Sequence, residues 1–249
     1  WERAQRDNER PIMAAKPSTR DRILQASLDL FNTQGERNIT TNHIASHLGM
    51  SPGNLYYHFR NKPMIVAELF NEFERKMEVF FTLPEAASVT LEDKARYLES
   101  LLELLWQFRF LHQGLEYLLE ADPALAVRYR QFAQLSLRST QSIYQAFADA
   151  GILRLSPQQA EALSINVWIV LSSWMQFLTT TRGIQSDLDE QLMRRGIYQI
   201  LVLEEGYVAP AYQEAVRSLC DSLYVPLGDI SDGDDAAAPT ATNPAAAPE

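Results

Sequence analysis

The chain has 249 residues, 46% of them hydrophobic, and a formal net charge of −10 at pH 7. This length and composition are typical of a soluble globular protein with one large domain or two modest ones. Cys220 is the single cysteine, which excludes an internal disulfide framework and a zinc site built from several cysteines.

The charge is distributed unevenly along the chain. Residues 1–62 carry nine Lys and Arg against six Asp and Glu, whereas residues 63–249 carry 13 against 26. A small basic part joined to a large acidic remainder is consistent with a nucleic-acid-binding head, provided that a binding motif supports it.

Nearly every periodic segment predicts a helix, so the predicted fold class is all-α. Residues 1–17 are highly charged and lack the apolar segment of a secretory signal, so we expect a flexible extension there. Four helices follow, and capping residues or prolines mark their ends: Ser18 or Thr19 and Gly35 for the first, Gly49 for the second, Ser51 and Pro52 for the third, and Pro84 for the fourth.

Longer helices follow Pro84. Residues 90–114 are apolar around much of the helical circumference, so we predict one largely buried helix there. The stretch "LEYLLEA" predicts a short helix ending before Pro123, and further helices are predicted over 124–150, 157–181, 188–205 and 209–226. Residues 226–249 are rich in Ala, Pro and Asp and have little to bury, which predicts a disordered tail.

The segment from Ala162 to Thr181 contains no charged residue, so a membrane-spanning helix has to be considered. Its serines and threonines, together with Asn166 and Gln176, favour a buried helix at a core or subunit interface, and no cationic cluster flanks it. We therefore predict a cytoplasmic protein without membrane association.

Residues 41–59 have the pattern of a helix-turn-helix. Gly49 can adopt the left-handed conformation that ends the first helix and starts the turn, and Ala45 is small where the two helices cross most closely. The apolar positions expected to hold the two helices together are Ile44, Leu48, Met50 and Leu55.

The second helix of this motif carries groups that are suited to DNA. Ser51 and Gly53 are small enough to let its N-terminal end enter a major groove, and Asn54 can hydrogen-bond a base edge. The remaining groups can contact phosphates, sugars or thymine methyl groups, and they are Tyr57, His58, Lys62, and Thr40 and Thr41 at the start of the preceding helix.

The stretch "ITTNHIASHLGMSPGNLYYHFRNKPMIVAEL", with the preceding "RDRILQASLDLFNTQG", resembles the DNA-binding head of the TetR family of bacterial transcriptional regulators, and the resemblance covers about residues 19–70. It implies a three-helix head joined by a fourth helix to an all-helical ligand-binding and dimerisation body. We accordingly predict a helix-turn-helix domain at 18–64, with its motif at about 40–59, and an effector-binding and dimerisation domain at 65–225.

The resemblance also implies roles for positions in the second and third helices. Thr41 and Asn42 correspond to the start of the second helix, which contacts the DNA backbone and sometimes a base. Gly53 and Asn54 correspond to base-reading positions of the third helix. Asn42 stands where some members of the family carry an arginine that reads guanine, so the preferred DNA sequence cannot be transferred.

Further positions follow from the same resemblance. Tyr57 and His58 correspond to the usual phosphate and thymine contacts, and Lys62 corresponds to the cation that opens the fourth helix. Tyr56 corresponds to a position that more often faces the core of the head.

The family resemblance implies that the long helix after residue 90 helps to line an effector cavity. The candidate pocket residues on or just after this helix are Trp106, Arg109, Phe110, His112, Glu116 and Tyr117. The alternative is that the aromatic residues belong to the core and that Arg109 and Glu116 pair on the surface. The expected effector is a small apolar or amphipathic molecule.

Two later helices are expected to pair with their symmetry mates as a four-helix bundle. The candidates for this homodimer interface are Trp168, Leu171, Met175, Ile197, Ile200 and Leu201. The alternative is that these residues belong to the ordinary core of one chain.

No catalytic or metal site is predicted. His43 and His47 have the i, i+4 spacing of metal ligands, but no third ligand is near in sequence. His112 and Glu116 form the one acid–base pair that the sequence offers, and such a pair arises easily by chance. We therefore predict neither an enzyme nor a bound cofactor.

The resulting hypothesis is a ligand-responsive transcriptional repressor that binds a palindromic, double-stranded operator as a homodimer. Two alternatives stay open. A helical small-molecule-binding protein or enzyme with a vestigial head would show no salt-sensitive affinity for duplex DNA. A protein-interaction or membrane-associated helical module would ignore DNA and sediment with its partner or with lipid.

Overall fold

The computed structural model of the chain describes residues 17–81, 90–182 and 190–227. Within these ranges the chain forms eleven α-helices and no β-sheet, which confirms the all-α fold class. The predicted extension at 1–17 and the predicted tail at 226–249 lie outside the described residues, except for residues 17, 226 and 227.

The helices follow one another with short connections. Their bounds are α1 Thr19–Gln34, α2 Thr41–His47, α3 Pro52–His58, α4 Lys62–Phe81, α5 Leu91–Gln107, α6 Arg109–Gln113, α7 Leu115–Ala121, α8 Pro123–Asp149, α9 Pro157–Arg182, α10 Glu190–Glu204 and α11 Gln213–Leu223. Two compact units divide within α4, between Glu72 and Phe73, whereas the sequence places the domain boundary between residues 64 and 65.

Local capping explains where the first helix begins. The Oγ of Ser18 accepts a hydrogen bond from the backbone N–H of Asp21 at 3.2 Å, and the Asp21 carboxylate accepts one from the N–H of Ser18 at 3.1 Å. This capping box satisfies two of the N–H groups that an α-helix leaves without partners at its start. Gly35, at a φ of 79°, ends the helix where the sequence predicts.

The prediction of one continuous helix over 90–114 is wrong, because the chain turns at Phe108. This residue has a φ of −110° and a ψ of 29°, and it separates α5 from α6. Its ring is fully buried and lies 5.6 Å from the ring of Phe73, centroid to centroid. Burial of this large side chain outweighs the local preference for a continuous helix, because an aromatic side chain buries more apolar area than most others.

The first unit is built on a continuous apolar core. Its buried side chains come from α1, α2, α3 and α4 and include Ile23, Phe31, Ile44, Leu55, Phe59, Ile65 and Leu69. Each fully buried side chain of this kind stabilises the fold by about 1.5–3 kcal/mol relative to exposure. The guanidinium of Arg20 covers the Phe59 ring at 4.8 Å and pairs with Glu68 at 3.1 Å.

Lys62 belongs to the internal structure of this unit. Its ammonium lies 2.7 Å from a carboxylate oxygen of Glu36 and donates a hydrogen bond to the Glu36 carbonyl oxygen at 2.9 Å. Its side chain is only 23% exposed and that of Glu36 is 7% exposed. A phosphate contact would need an exposed Lys62, and that expectation of exposure is wrong. The side chain is mostly buried because the buried Glu36 carboxylate needs it as a counter-charge.

In the second unit α9 packs against α8 and α10, and α10 also packs against α5 and α11. Helix α9 is long and apolar enough to cross a membrane by length and composition alone. Its buried residues Leu163, Met175 and Leu178 face other helices of the same unit.

A close approach fixes α10 against α9. The indole Nε1 of Trp174 in α9 donates a hydrogen bond to the carbonyl oxygen of Leu192 at 2.8 Å, and the indole stacks on the Phe177 ring at 5.3 Å. Gly196 in α10 lies directly beneath this indole, because a Cβ at that position would come within 2.8 Å of it. Only glycine fits there without moving the tryptophan.

The two connections that flank α9 and α10 are joined to each other. An isolated antiparallel bridge pairs Leu153 with Val208. The N–H of Arg154 donates to the carbonyl oxygen of Tyr207 at 2.7 Å, and the N–H of Ala209 donates to that of Ile152 at 2.9 Å.

Four of the six predicted dimer-interface residues, Met175, Ile197, Ile200 and Leu201, are buried within a single chain, so the prediction is wrong for these four. Trp168 and Leu171 are partly buried and line a cavity, where Trp168 packs on the rings of Tyr129 and Phe132. Helix α9 has apolar residues on both faces, and we selected the face that packs on its own chain.

We expect Lys62→Ala to lower the free energy of unfolding by about 2–3 kcal/mol, because it leaves the buried Glu36 carboxylate without its counter-charge. Thermal and urea unfolding of the full chain, followed by helical circular dichroism, measures the change. The double variant Glu36→Leu/Lys62→Met should recover most of the loss, since an apolar pair needs no charge compensation. Wild-type stability of Lys62→Ala, combined with lost DNA affinity, would instead make Lys62 a DNA contact.

We expect Gly196→Ala to lower the free energy of unfolding by about 1–3 kcal/mol, although alanine normally stabilises a helix interior. The reason is the 2.8 Å approach of the new Cβ to the Trp174 indole. Gly206→Ala is the matched control, because its Cβ would meet nothing within 4 Å. Equal unfolding midpoints for the two variants would show that the α9–α10 contact tolerates a methyl group.

Candidate nucleic-acid interface and internal cavity

Helix α2 begins with a reciprocal cap. The hydroxyl oxygen of Thr40 accepts a hydrogen bond from the N–H of His43 at 3.3 Å, and Nδ1 of His43 accepts one from the N–H of Thr40 at 3.4 Å. The cap therefore occupies Nδ1, one of the two ring nitrogens that His43 could offer to a metal. Among the described residues, no group of three His, Cys, Asp or Glu side chains could hold a metal ion.

The turn between α2 and α3 depends on Gly49. Its φ of 64° lies in the left-handed region, which confirms the prediction, and its N–H donates to the carbonyl oxygen of Ser46 at 3.1 Å. A Cβ at this position would meet nothing within 4 Å, so the requirement for glycine is conformational and not spatial. The N–H of Met50 donates to the carbonyl oxygen of Ala45 at 3.0 Å and closes the turn.

Helix α3 presents an exposed polar face above a buried apolar one. The Oγ of Ser51 accepts a hydrogen bond from the N–H of Asn54 at 3.2 Å, and Pro52 occupies the first helical position, as predicted. Leu55 faces the core, whereas Asn54 is exposed and Tyr57 is 85% exposed. An aromatic side chain this exposed leaves a large apolar area in water, so contact with a partner would gain from its burial.

The other predicted contacts are placed around this face. Ser51, Gly53, Thr40 and Asn42 are exposed. The ring of His58 is partly buried and meets the Tyr57 ring edge to face at 5.2 Å, so α3 itself holds these two predicted contacts together.

Tyr56 is not a core residue, so its expected placement is wrong. It is 45% exposed, because Leu55 and Phe59 fill the core beside it. Its hydroxyl lies 3.2 Å from the hydroxyl of Thr41, which is partly buried at the start of α2. This hydrogen bond joins the polar faces of the two helices.

Arg60 is an exposed cation that the motif analysis missed. It follows the C-cap of α3 at Phe59, three residues after Tyr57. Its position three residues after Tyr57 could have identified it, but Lys62 was chosen as the phosphate cation because the family resemblance assigns that role to it. The Lys62 ammonium is paired with Glu36, whereas Arg60 is exposed just after the exposed face of α3.

The second unit contains a cavity of about 90 Å³. Helices α4, α5, α6, α8, α9 and α10 contribute to its walls. Most of the lining is apolar and much of it aromatic, with Met77, Leu101, Phe132, Phe147 and Trp168 among the contributors.

Only one of the six predicted pocket residues, His112, lines this cavity. The Arg109 guanidinium lies over the Trp106 indole at 4.4 Å and donates to the Trp106 carbonyl oxygen at 3.1 Å. Phe110 is buried away from the cavity lining, and both Glu116 and Tyr117 are exposed. These five residues therefore do not line this cavity, and for the four that follow α5 the turn at Phe108 redirects the chain.

The cavity contains a histidine without a hydrogen-bond partner at one nitrogen. Nε2 of His112 is buried, and no described residue bonds to it. Burial lowers the pKa of His112 to about 4, so the imidazole is neutral at pH 7. Burial also raises the pKa of Tyr97 and of Tyr129, each to about 12.

A buried charge cluster forms a second polar part of the lining. The ammonium of Lys94 in α5 pairs with the carboxylate of Glu204 in α10, and the Tyr144 hydroxyl donates to the same carboxylate at 2.7 Å. Burial, with the adjacent carboxylate, raises the pKa of Tyr144 well above its ordinary value. Sequence reasoning missed this cluster, because Lys94 and Glu204 stand 110 residues apart.

Family models match both units. The family described as bacterial regulatory proteins of the tetR family matches residues 23–69, and the one described as a bacterial transcriptional repressor (TetR) matches residues 72–216.

Known structures and sequences agree with these matches. The crystal structure of a TetR-family transcriptional regulator from Marinobacter aquaeolei is 47% identical, covers 84% of this chain and 100% of its own, and has a TM-score of 0.77. A TetR transcription regulator from Haloarcula marismortui shares the fold at 15% identity, with a TM-score of 0.58 and coverage of 76% of this chain and 98% of its own.

An HTH-type transcriptional regulator of Staphylococcus aureus is 29% identical over 102 residues, or 41% of this chain. The matched part spans about half of that relative, 54% of its length. The match to both family models and the near-complete overlap with the Marinobacter structure confirm the resemblance found in the motif. The chain belongs to the TetR family of bacterial transcriptional regulators.

Proposed function

We propose that this chain is a sequence-specific transcriptional repressor that binds a palindromic operator as a homodimer and is released by a small effector. The observation that carries the proposal is the exposed polar and aromatic face of α3, with Tyr57 at 85% exposure, above the fully buried Ile44 and Leu55. A face of this kind suits insertion of the recognition helix into a major groove.

Each exposed group has a proposed role at the DNA. Asn54 hydrogen-bonds a base edge, for which adenine is the usual partner. Tyr57 contacts a phosphate or a thymine methyl group, and Arg60 replaces Lys62 as the phosphate cation. The hydrogen bond between the Tyr56 and Thr41 hydroxyls supports the proposal, because it fixes α3 against the start of α2.

The remainder of the chain supports specificity by its charge. Residues 63–249 carry twice as many acidic as basic side chains, 26 against 13. This acidic part repels DNA in general and confines contact to the heads.

The effector site is proposed to be the cavity of the second unit. Helix α4 supports this role, because its residues Ile65 and Leu69 belong to the core of the first unit while its residues Phe73 and Met77 line the cavity. By linkage, an effector that weakens DNA binding must itself bind more weakly to the DNA-bound protein.

The homodimer is proposed to form through the exposed faces of α9 and α10. Ile165, Ile169 and Phe177 follow one another along α9 at multiples of four residues and are all exposed, and Val202 and Leu203 are exposed on α10. Apolar side chains arranged in this way are typical of the interface in obligate dimers.

A catalytic role is not proposed. The one acid–base pair that the sequence offers, His112 with Glu116, is separated in the structure: Nε2 of His112 is buried, and Glu116 is exposed. The two groups therefore do not share a site.

The DNA proposal is tested by fluorescence anisotropy of labelled duplexes from upstream of the coding region, over a salt series. We expect Tyr57→Ala to weaken binding at all salt concentrations. Arg60→Ala should weaken binding to all sequences alike and reduce the slope of log K against log salt by about 1.8, because each of the two subunits loses one phosphate contact.

Arg130→Ala is the control for Arg60→Ala, because Arg130 is an exposed cation of α8 in the second unit. It should leave the salt slope unchanged. An absence of duplex binding at low salt, for these sequences and for a random pool, would mean that the head is vestigial and would refute the proposal.

The dimer proposal predicts that Ile169→Asp produces a monomer at micromolar concentration, since a buried carboxylate without a partner is costly at an apolar interface. Size-exclusion chromatography with light scattering measures the mass. Val127→Asp is the matched control, because Val127 is a similarly exposed apolar residue, at 47% against 53%, on α8. A mass that responds equally to both substitutions would place the interface elsewhere.

A further inference from the structure

The cavity of the second unit contains a polar atom that the folded chain leaves without a partner. Nε2 of His112 is buried, and none of the described residues hydrogen-bonds to it. Buried polar atoms in native proteins almost always have a partner, because an unpaired one loses its hydration without compensation. Since His112 also lines the cavity, a molecule in the cavity can supply that partner.

The surroundings of His112 keep the imidazole uncharged. The Phe73 ring meets it edge to face at 5.9 Å, and the other cavity walls are mainly apolar. Burial lowers the pKa of His112 to about 4, so it carries no positive charge at pH 7 that would attract an anion. The site at Nε2 therefore favours a neutral group.

The charged part of the lining does not favour an ionic ligand either. One oxygen of the Glu204 carboxylate accepts from the Tyr144 hydroxyl, and the other pairs with the Lys94 ammonium. The cluster is formally neutral, and both carboxylate oxygens have partners. An anionic ligand would meet Glu204, and a cationic ligand would meet Lys94, so either would lose its hydration for little gain.

We propose that the effector is an uncharged, mainly apolar molecule with a single hydroxyl group, and that this hydroxyl hydrogen-bonds Nε2 of His112. A hydroxyl both donates and accepts, so it matches either neutral tautomer of the imidazole. This inference rests on the proposed use of the cavity as the effector site. It adds the chemical class of the effector and the residue that recognises it.

The size and walls of the cavity limit the apolar part of the ligand. A cavity of about 90 Å³ flanked by the rings of Phe132 and Trp168 limits the apolar part to a single aromatic ring, since flat rings pack well against other rings. Three probes share such a ring and differ only in the polar group: phenol, benzene and benzoate.

The test is isothermal titration of these three probes into the full chain at pH 7.4. We expect phenol to bind wild type about five- to tenfold more tightly than benzene, as one net hydrogen bond provides. His112→Phe keeps an aromatic ring but removes the nitrogen that accepts or donates the hydrogen bond. The ratio of the two affinities should therefore fall to about twofold or less. The benzoate should bind most weakly to both proteins.

Two further variants keep the test independent of folding defects. His112→Gln retains a hydrogen-bonding side chain and should keep part of the preference for the phenol. Glu116→Ala changes an exposed residue four positions after His112 in the sequence. This variant should bind all three probes as tightly as wild type does. A phenol preference that is the same in wild type and His112→Phe, tightest binding of the benzoate, or no binding of any probe would overturn the inference.

A DNA measurement separates this inference from the function on which it rests. Anisotropy of the labelled duplex is repeated with each probe. If the probes bind with the His112-dependent preference but do not change the DNA affinity, the ligand class is correct and the regulatory part of the proposed function fails. If phenol releases wild type from DNA but does not release His112→Phe, both are supported.

Discussion

The burial of Ile44 and Leu55 is the constraint on which the DNA-facing surface depends. These residues belong to two helices of seven residues each, and helices shorter than about 12 residues are marginal in water. Tertiary packing and capping by Thr40 and Ser51 therefore hold α2 and α3 in place. Because the apolar faces of α2 and α3 are fixed in this way, the polar residues on their exposed faces do not have to contribute to the stability of the fold.

The helix ends were predicted from the sequence more accurately than the directions of the side chains. The ends depend on local chemistry that a single sequence displays, such as the Ser51-Pro52 start of α3 and the left-handed Gly49. The break at Phe108 was missed because nothing local marks it, and only the burial of its ring in the folded unit explains it.

The errors at the candidate sites have a common physical origin. Periodicity shows that a helix is apolar, but it does not distinguish the face that packs on its own chain from the face that stays exposed. Helix α9 has apolar residues on both faces, so the buried Met175 was assigned to an interface and the exposed Ile169 was not considered. Pairs that are distant in sequence, such as Lys62 with Glu36 and Lys94 with Glu204, likewise become visible only after folding.

The bridge between Leu153 and Val208 makes the intervening chain, which contains α9 and α10, a loop closed at its base. The conformational entropy that is lost when the two ends come together depends only weakly on the length of the chain between them. Related regulators can therefore differ in the length of this segment at little entropic cost to its closure.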